Sequence, residues 1–180
     1  EIGQIRVSPL NDPPNTTKFV QGVLTSLNMN ATVMTYPERF VVNGVSFTCI
    51  WASELIMGQG SDANNASVSL AVEVDGVSIL LAGDIEPPAQ EKIASDLPAI
   101  DFDVIKVAHH GSRYQSSDFA SWANAEVAFI SVGKDNDYGH PAPETISLYE
   151  LTGSQVFRTD LRGDLAITVQ DSQIRVATRR

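Results

Sequence analysis

Short blocks of apolar residues separated by turn residues run through the chain, and their spacing predicts strands that alternate with helices. Helical spacing is clearest over residues 16–28, where the apolar positions form one stripe: Phe19, Val20, Val23, Leu24 and Leu27. Further helices are predicted over residues 87–97, 117–123 and 144–151. Gly153 lies just past the last of these, where a glycine commonly ends a helix.

Two hairpins are indicated by Asn-Gly and Asp-Gly dipeptides that stand between apolar runs. The first covers residues 40–51 around Asn43-Gly44, and the second covers residues 67–81 around Asp75-Gly76. The run VSILLA from residue 77 is nearly all apolar, which predicts a strand buried on both faces. Other strands are predicted over residues 3–8, 102–108, 127–132, 165–169 and 173–177. The alternation indicates an α/β fold, which we predict to be a single domain over residues 1–180.

Composition narrows the possible functions. The 180 residues are 43% hydrophobic, which is typical of a globular domain with a core of its own. The 22 acidic and 12 basic residues leave a net charge of −10, which argues against binding nucleic acid by bulk electrostatics. The one cysteine, Cys49, excludes an internal disulfide and a Cys-rich zinc site, and we predict it to be a buried core thiol. Trp51 and Trp122 are predicted to be packing residues.

Candidate chemistry follows three of the predicted strands. Asp84 comes after VSILLA, the string His109-His110-Gly111-Ser112 follows FDVIKVA, and His140 lies in the loop after VAFISV. In layered α/β folds, functional groups collect where strands end at one edge of the sheet. The three histidines of the chain all lie at two of these strand ends, which scattered surface histidines would not do. The long polar loop over residues 53–66 is also typical of a functional segment.

Each of these residues also has a structural interpretation. Asp84 suits a turn or helix N-cap ahead of Pro87, and His140 by itself is typical of a surface residue. Adjacent side chains of a strand point to opposite faces, so we expect His109 and His110 to diverge, with one facing a site and the other packed behind it. Together, the carboxylate and the imidazoles indicate a metal site with mixed nitrogen and oxygen ligands.

Five strings in order are specific enough to indicate a family: NNASVSL, ILLAGDIE, VIKVAHHGS, ISVGKDNDYGHP and VFRTDLRGDLAI. They resemble the C-terminal hydrolase domain of the competence protein ComEC, which is a domain of the metallo-β-lactamase superfamily. The resemblance extends over residues 3–169, nearly the whole chain. It implies an αββα sandwich that binds two divalent metal ions, Mn²⁺ or Zn²⁺, and hydrolyses phosphodiesters.

The resemblance also implies roles for individual residues. Asp84 matches the carboxylate that bridges the two metals; either histidine of the pair fits as a ligand, and His110 is favoured, with His109 as its neighbour. His140 and Ser112 match residues that contact the substrate phosphate or the leaving group during catalysis. Further residues are predicted to support the site or to bind substrate: Asn65, Ser67, Asn136, Arg113 and Arg158. Both arginines could bind phosphate bidentately, although solvated surface charges are the alternative.

One motif of the superfamily is absent. The main ligand motif, HxHxDH, does not occur in these 180 residues. We therefore predict that the chain is the C-terminal portion of the domain, incomplete at its N-terminus. By itself it is expected to hold one metal ion or none and to be inactive as it stands.

The function predicted from these features is that of a metal-dependent nuclease domain acting on DNA during uptake. The domain would be a soluble part of a membrane-embedded competence protein, on the outer face of a bacterial cell membrane. The remainder of that protein and the DNA substrate would be its partners, and the acidic chain alone is not expected to form a stable nucleic-acid complex. The alternatives are a small-molecule phosphodiesterase of the same superfamily and a non-catalytic interaction domain.

Overall fold

The computed structural model describes residues 2–170 and 173–179, which form strands and helices in alternation. The strands are β1 Ile5–Val7, β2 Ala31–Val33, β3 Arg39–Val42, β4 Val45–Trp51, β5 Ser69–Val74, β6 Val77–Leu81, β7 Val104–Lys106, β8 Val127–Ile130, β9 Gln155–Arg158, β10 Asp164–Gln170 and β11 Gln173–Arg179. The helices are α1 Pro14–Ser26, α2 Asp62–Asn65, α3 Pro87–Asp96, α4 Ser117–Ala123, α5 Pro143–Leu151 and α6 Thr159–Arg162. The predicted α/β class is confirmed, while the αββα sandwich remains a prediction.

A seven-stranded sheet in the order β3-β4-β5-β6-β7-β8-β9 forms the centre of the fold. Both predicted hairpins are present, since β3 pairs with β4 and β5 with β6 in antiparallel register. From β6 to β9 the neighbouring strands are parallel, and α3, α4 and α5 lie in the connections between them. The carboxyl ends of β6, β7 and β8 therefore share one edge of the sheet, as a run of parallel strands requires.

The two faces of this sheet are covered unequally. On one face, inward residues such as Leu80 and Ile105 pack with Ile93 of α3, Phe119 of α4 and Tyr149 of α5. The buried cluster on this face also contains both tryptophans, and Cys49 is fully buried, which confirms the predictions for those three residues.

On the other face, a smaller cluster forms where the β10–β11 hairpin reaches Val104 and Phe129 through Ile167 and Ile174. The prediction that the VSILLA strand is buried on both faces is therefore only half right, since Leu80 is fully buried but Leu81 is 37% exposed. The two-stranded hairpin is too narrow to cover the whole face.

Helix α1 also differs from its prediction in how its apolar stripe is used. The helix begins at Pro14, earlier than the predicted residue 16. The N–H groups of a helix's first turn have no acceptor within the helix, so a proline, which has no N–H, fits there. Of the predicted stripe only Leu24 is buried, and Phe19 is 72% exposed. Within the described residues the helix lies beside the two-stranded parallel sheet β1–β2, which is too small to cover the stripe.

Four short elements were not predicted from the sequence: β2, β9, α2 and α6. Each is three or four residues long, too short for a period of 2 or 3.6 to be recognised. Strand β9 exists because its backbone pairs with β8, from Val127 with Gln155 to Ile130 with Arg158. No helix among the described residues has the length and apolar character to cross a membrane.

Candidate functional site

Three segments predicted to carry chemistry meet at one edge of the sheet. Asp84 follows β6, His109 and His110 follow β7, and His140 lies in the loop after β8. The first two segments are joined directly, since the backbone N–H of His109 donates to the carbonyl of Gly83 at 3.1 Å. The sequence-based expectation that these groups converge is confirmed, because β6, β7 and β8 are parallel neighbours.

The two adjacent histidines lie in a tight turn over residues 108–111, not in a strand. His109 and His110 have left-handed backbone angles, with φ of 48° and 52°. The expected strand-like alternation is therefore wrong, although the side chains do diverge. The His109 ring faces Glu86 and His140, whereas the His110 ring faces Asp84. A left-handed turn separates neighbouring side chains by rotating the backbone between them.

Asp84 and His110 face each other across the edge of the sheet. His110 Nε2 lies 3.8 Å from Asp84 Oδ1, and His110 Nδ1 lies 2.7 Å from the carbonyl oxygen of Ser131. A carbonyl only accepts hydrogen bonds, so Nδ1 donates to Ser131, and Nε2 is the ring nitrogen that faces the carboxylate. A proton or a metal ion shared by Nε2 and the Asp84 carboxylate would satisfy both groups.

This arrangement has the donor chemistry of a metal site but is incomplete as one. A ligating histidine typically donates its other ring N–H to a carbonyl or carboxylate, as His110 does to Ser131. Asp84 and His110 therefore fit two coordination positions. Within residues 2–170 and 173–179, however, no three His, Cys, Asp or Glu side chains are grouped closely enough to hold a metal ion.

Lys106 is a third group at Asp84 that the motifs did not identify. Its ammonium lies 3.7 Å from Asp84 Oδ1 and 3.4 Å from the carbonyl oxygen of Gly83. Burial lowers the pKa of Lys106, and the Asp84 carboxylate opposes that shift. The ammonium also lines a cleft of about 550 Å³ between the sheet and β10. A lysine within the otherwise apolar string VIKVA was the signal in the sequence.

His109 faces a buried carboxylate that the sequence reasoning also missed. Glu86 is only 7% exposed, and its Oε1 lies 3.7 Å from Nδ1 of His109, a buried atom that has no hydrogen-bond partner within residues 2–170 and 173–179. The same carboxylate accepts hydrogen bonds from the Ser61 backbone N–H and the Asn64 side chain, each at 2.9 Å. Glu86 thus joins the loop over residues 53–66 to the histidine turn.

Asn65 and Ser67, predicted as supporting residues, lie in this framework. Asn65 is buried, donates to the Gln59 carbonyl at 2.7 Å and accepts from the Glu86 backbone N–H at 3.2 Å. Ser67 Oγ accepts from the backbone N–H of Asp84 at 3.2 Å. Asn65 and Ser67 therefore hold the backbone at Glu86 and Asp84, and their side chains do not cover the Asp84 carboxylate.

Replacing Glu86 with Gln is expected to destabilise the protein by about 1–3 kcal/mol, since the amide NH₂ cannot accept one of the two hydrogen bonds that the carboxylate now receives. The free energy of unfolding in urea measures the effect. Glu91→Gln, an exposed position on the same helix α3, is the matched control and should change stability by less than about 0.5 kcal/mol. Equal stability of the two variants would show that Glu86 does not hold the loop.

His140 is held by the side chain of Asn136. The Asn136 amide donates to the His140 carbonyl at 2.8 Å and accepts from the His140 backbone N–H at 3.1 Å. The His140 ring lies edge-on to His109, with ring centroids 5.6 Å apart. Partial burial, followed by the nearby His109, His110 and Arg113, lowers the pKa of His140. A lowered pKa favours the neutral ring, which has one N–H to donate and one lone pair to accept.

Ser112 and Gly111 connect the histidine turn to the segment that follows His140. Ser112 is buried, its Oγ accepts from the Tyr114 N–H at 3.3 Å, and its carbonyl accepts from Thr145 Oγ1 at 2.6 Å. The carbonyl of Gly111 accepts from the Ala142 N–H at 2.8 Å. The Ser112 hydroxyl is thus engaged in local structure instead of lying at the open face of the site.

Gly111→Ala is expected to destabilise the protein by about 2–4 kcal/mol, from a left-handed backbone strain of roughly 1–2 kcal/mol and an added steric clash. Gly111 has φ of +77°, and a Cβ there would lie 2.7 Å from Cβ of Pro141 and 3.1 Å from Ile130. Gly139→Ala separates the two terms, because Gly139 has φ of +72° but open space around its Cβ position. Thermal unfolding of both variants measures the difference, and equal losses would rule out the clash.

The two predicted arginines differ in their surroundings. Arg113 is exposed and close enough to His140 to affect its charge. Arg158 instead makes a two-pronged ion pair with Asp160, with nitrogen–oxygen distances of 3.1 and 2.6 Å. Among the residues that the structure describes, the Arg113 guanidinium has no ion-pair partner, whereas that of Arg158 already binds a carboxylate.

Comparison with known proteins gives several relatives, although no family model matches the chain. It is 36% identical to ComE operon protein 3 of Bacillus subtilis over 103 residues, which are 57% of this chain and 13% of that protein. It is 30% identical to the uncharacterized protein YcaI of Escherichia coli over 145 residues, 79% of this chain and 19% of that protein. It is also 30% identical to competence protein ComA of Neisseria gonorrhoeae over 130 residues, 71% of this chain and 18% of that protein.

These matches support a competence-protein family for the chain. The matched region spans between 13% and 19% of the length of these three relatives. The similarity therefore concerns one part of much longer proteins.

Proposed function

We propose that this chain takes part in DNA uptake as part of a competence protein, and that it contributes to a metal-dependent phosphodiesterase site that cleaves DNA. The observation that carries the proposal is the pairing of Asp84 with His110 at 3.8 Å, with the second nitrogen of His110 committed to Ser131. Two donors oriented in this way suit a divalent cation. The names of two relatives support the link to competence.

In this proposal Asp84 and His110 supply two ligands, and the remaining ligands come from sequence outside the 180 residues, as the HxHxDH motif of the superfamily would. Divalent metal ions in such a site lower the pKa of a bound water and neutralise phosphate charge. Because Asp84 and His110 lie at the ends of adjacent parallel strands, the sheet fixes their separation before any ligand binds.

The other residues of the site would orient and stabilise the substrate. His140, whose lowered pKa favours the neutral ring, would donate its N–H in a hydrogen bond to a phosphate oxygen. Asn136 would hold His140 in place, and the exposed Arg113 would attract the phosphate from the solvent side. Lys106, 3.7 Å from Asp84, would balance its negative charge before the cation arrives.

The remainder of the protein would bring DNA to this acidic chain. A net charge of −10 disfavours broad contact with a phosphate backbone, so DNA would be held at one metal centre and delivered by the membrane-embedded remainder of the protein. We place that assembly in a bacterial cell membrane, with this domain on the outer face.

The test uses the full-length natural protein that contains this chain. We expect it to hydrolyse single-stranded DNA with Mn²⁺ or Zn²⁺ present, to lose the activity with a chelator and to regain it when metal is restored. A small chromogenic phosphodiester, assayed in parallel, separates a nuclease from a small-molecule phosphodiesterase. Absence of hydrolysis of both substrates in the metal-loaded protein would contradict the proposal.

A second candidate function is a non-catalytic interaction domain. It is favoured by one observation: the ammonium of Lys106 already lies 3.7 Å from the Asp84 carboxylate, where a metal ion would otherwise bind. Metal analysis of the full-length protein by mass spectrometry distinguishes the two functions, because an interaction domain would retain no stoichiometric Mn²⁺ or Zn²⁺.

A further inference from the structure

An exposed aromatic residue stands at the outer side of the candidate site. Tyr138 is 85% exposed, although burying such a ring would be favourable. Its ring stacks on that of His140, with centroids 6.1 Å apart and planes within 21°. His140 in turn meets His109 at 5.6 Å. Three rings therefore form a row that runs from the half-buried His109 beside Glu86 outward to solvent.

The base of this row is anchored to the sheet edge. The Asn136 side chain holds the backbone of His140 on both sides, and Pro141 follows it directly. Pro141 packs against Gly111, and the Ala142 N–H donates to the Gly111 carbonyl at 2.8 Å. His140 is thus held next to the histidine turn, and Tyr138, which stacks on it, is open to solvent.

We infer that Tyr138, stacked on His140, forms a platform for an unpaired nucleobase whose neighbouring phosphate lies at the Asp84–His110 pair. The inference rests on the proposed function, since it names how that site would recognise its substrate. Each base has a flat π-face that stacks on an aromatic ring whatever the sequence, and in a duplex these faces are covered by neighbouring bases. Such a platform therefore selects single-stranded DNA over the duplex.

Charge also favours a base as the ligand of Tyr138. Stacking attracts without a positive charge, which suits a chain with a net charge of −10. The residues that flank the tyrosine include Asp135 and Asp137, which would repel a phosphate but not a neutral base. A protein partner would instead need an apolar patch around the ring, and the flanking positions 135–137 and 139 are Asp, Asn, Asp and Gly.

The test compares two four-unit single strands that carry the same phosphates, tetrathymidylate and an abasic tetramer, bound to the full chain in the presence of a chelator. NMR titration measures both dissociation constants and the upfield shift of the thymine methyl protons that ring stacking produces. The wild-type protein is expected to bind tetrathymidylate more tightly than the abasic strand. Tyr138→Ala should weaken tetrathymidylate binding roughly tenfold and remove the upfield shift, with abasic binding unchanged.

Two matched variants complete the design. Tyr138→Phe keeps the π-face and should bind as the wild type does, and Tyr36→Ala removes a partly exposed tyrosine elsewhere and should change nothing. Equal binding of the two strands by the wild type, or an equal effect of Tyr138→Ala on both, would overturn the inference. Because the chelator prevents hydrolysis, this result is independent of the nuclease assay, so base-dependent binding can stand or fall apart from the proposed activity.

Discussion

Replacing Asp84 with Asn is expected to lower metal-dependent DNA hydrolysis by about a thousandfold or more, the largest effect on activity that we predict. The neutral amide removes the negative charge that faces His110 Nε2 at 3.8 Å and Lys106 Nζ at 3.7 Å. The shape of the side chain is kept, so the loss would report charge and not packing. The rate of cleavage of a labelled single strand by the metal-loaded, full-length protein measures the effect.

Asp75→Asn is the matched control for this substitution. Asp75 lies in the turn before β6, whereas Asp84 follows the other end of the same strand. Its φ of 49° is one that asparagine accepts readily, so the control should keep both fold and activity. Retained hydrolysis in Asp84→Asn, with bound metal unchanged, would exclude Asp84 as a ligand and would remove the main support for the proposed function.

Truncating Phe119 to Ala is expected to give the largest loss of stability, about 3–5 kcal/mol. The Phe119 ring is fully buried, stacks on Trp122 with centroids 5.6 Å apart and belongs to the cluster between α3, α4, α5 and the sheet. Removing it leaves a cavity that a layered core cannot close. Because a domain of this kind is stable by only about 5–15 kcal/mol, the variant should lose much of its resistance to urea.

Phe19→Ala is the matched control for this prediction. The same side chain is removed from α1, where Phe19 is 72% exposed, and the expected change is below about 0.5 kcal/mol. Chemical denaturation of both variants gives the two free energies of unfolding. A large effect at Phe19 would mean that the α1 stripe is covered in solution, and a small effect at Phe119 would mean that the core can repack.

The sequence was most informative where a pattern is local. The boundaries of α4 were predicted to the residue, and both hairpins followed from their Asn-Gly and Asp-Gly turns, because turn chemistry and side-chain periodicity act over a few residues. The convergence of Asp84, His110 and His140 also followed, since the ends of neighbouring parallel strands must meet at one edge.

The sequence was least informative about contacts between distant segments. Glu86 accepts a hydrogen bond from the backbone N–H of Ser61, 25 residues away. Lys106 on β7 contacts Asp84, which follows the neighbouring strand β6. Neither contact has a local signature. The αββα sandwich, the single-domain organisation, the metal ions and the nuclease activity all remain predictions, whereas the α/β class is observed and a competence-protein family is supported by the relatives.

The sequence and the tertiary structure thus determined different features of the site. Residue order alone was enough to place the acidic and imidazole groups at strand ends, because strand direction and turn residues are encoded within short stretches. The tertiary structure decided which ring nitrogen of His110 meets the Ser131 carbonyl, where the buried Glu86 lies, and that Phe19 and Tyr138 stay exposed. Burial and tautomer depend on what the rest of the chain places beside a residue, and no periodicity along the sequence records that.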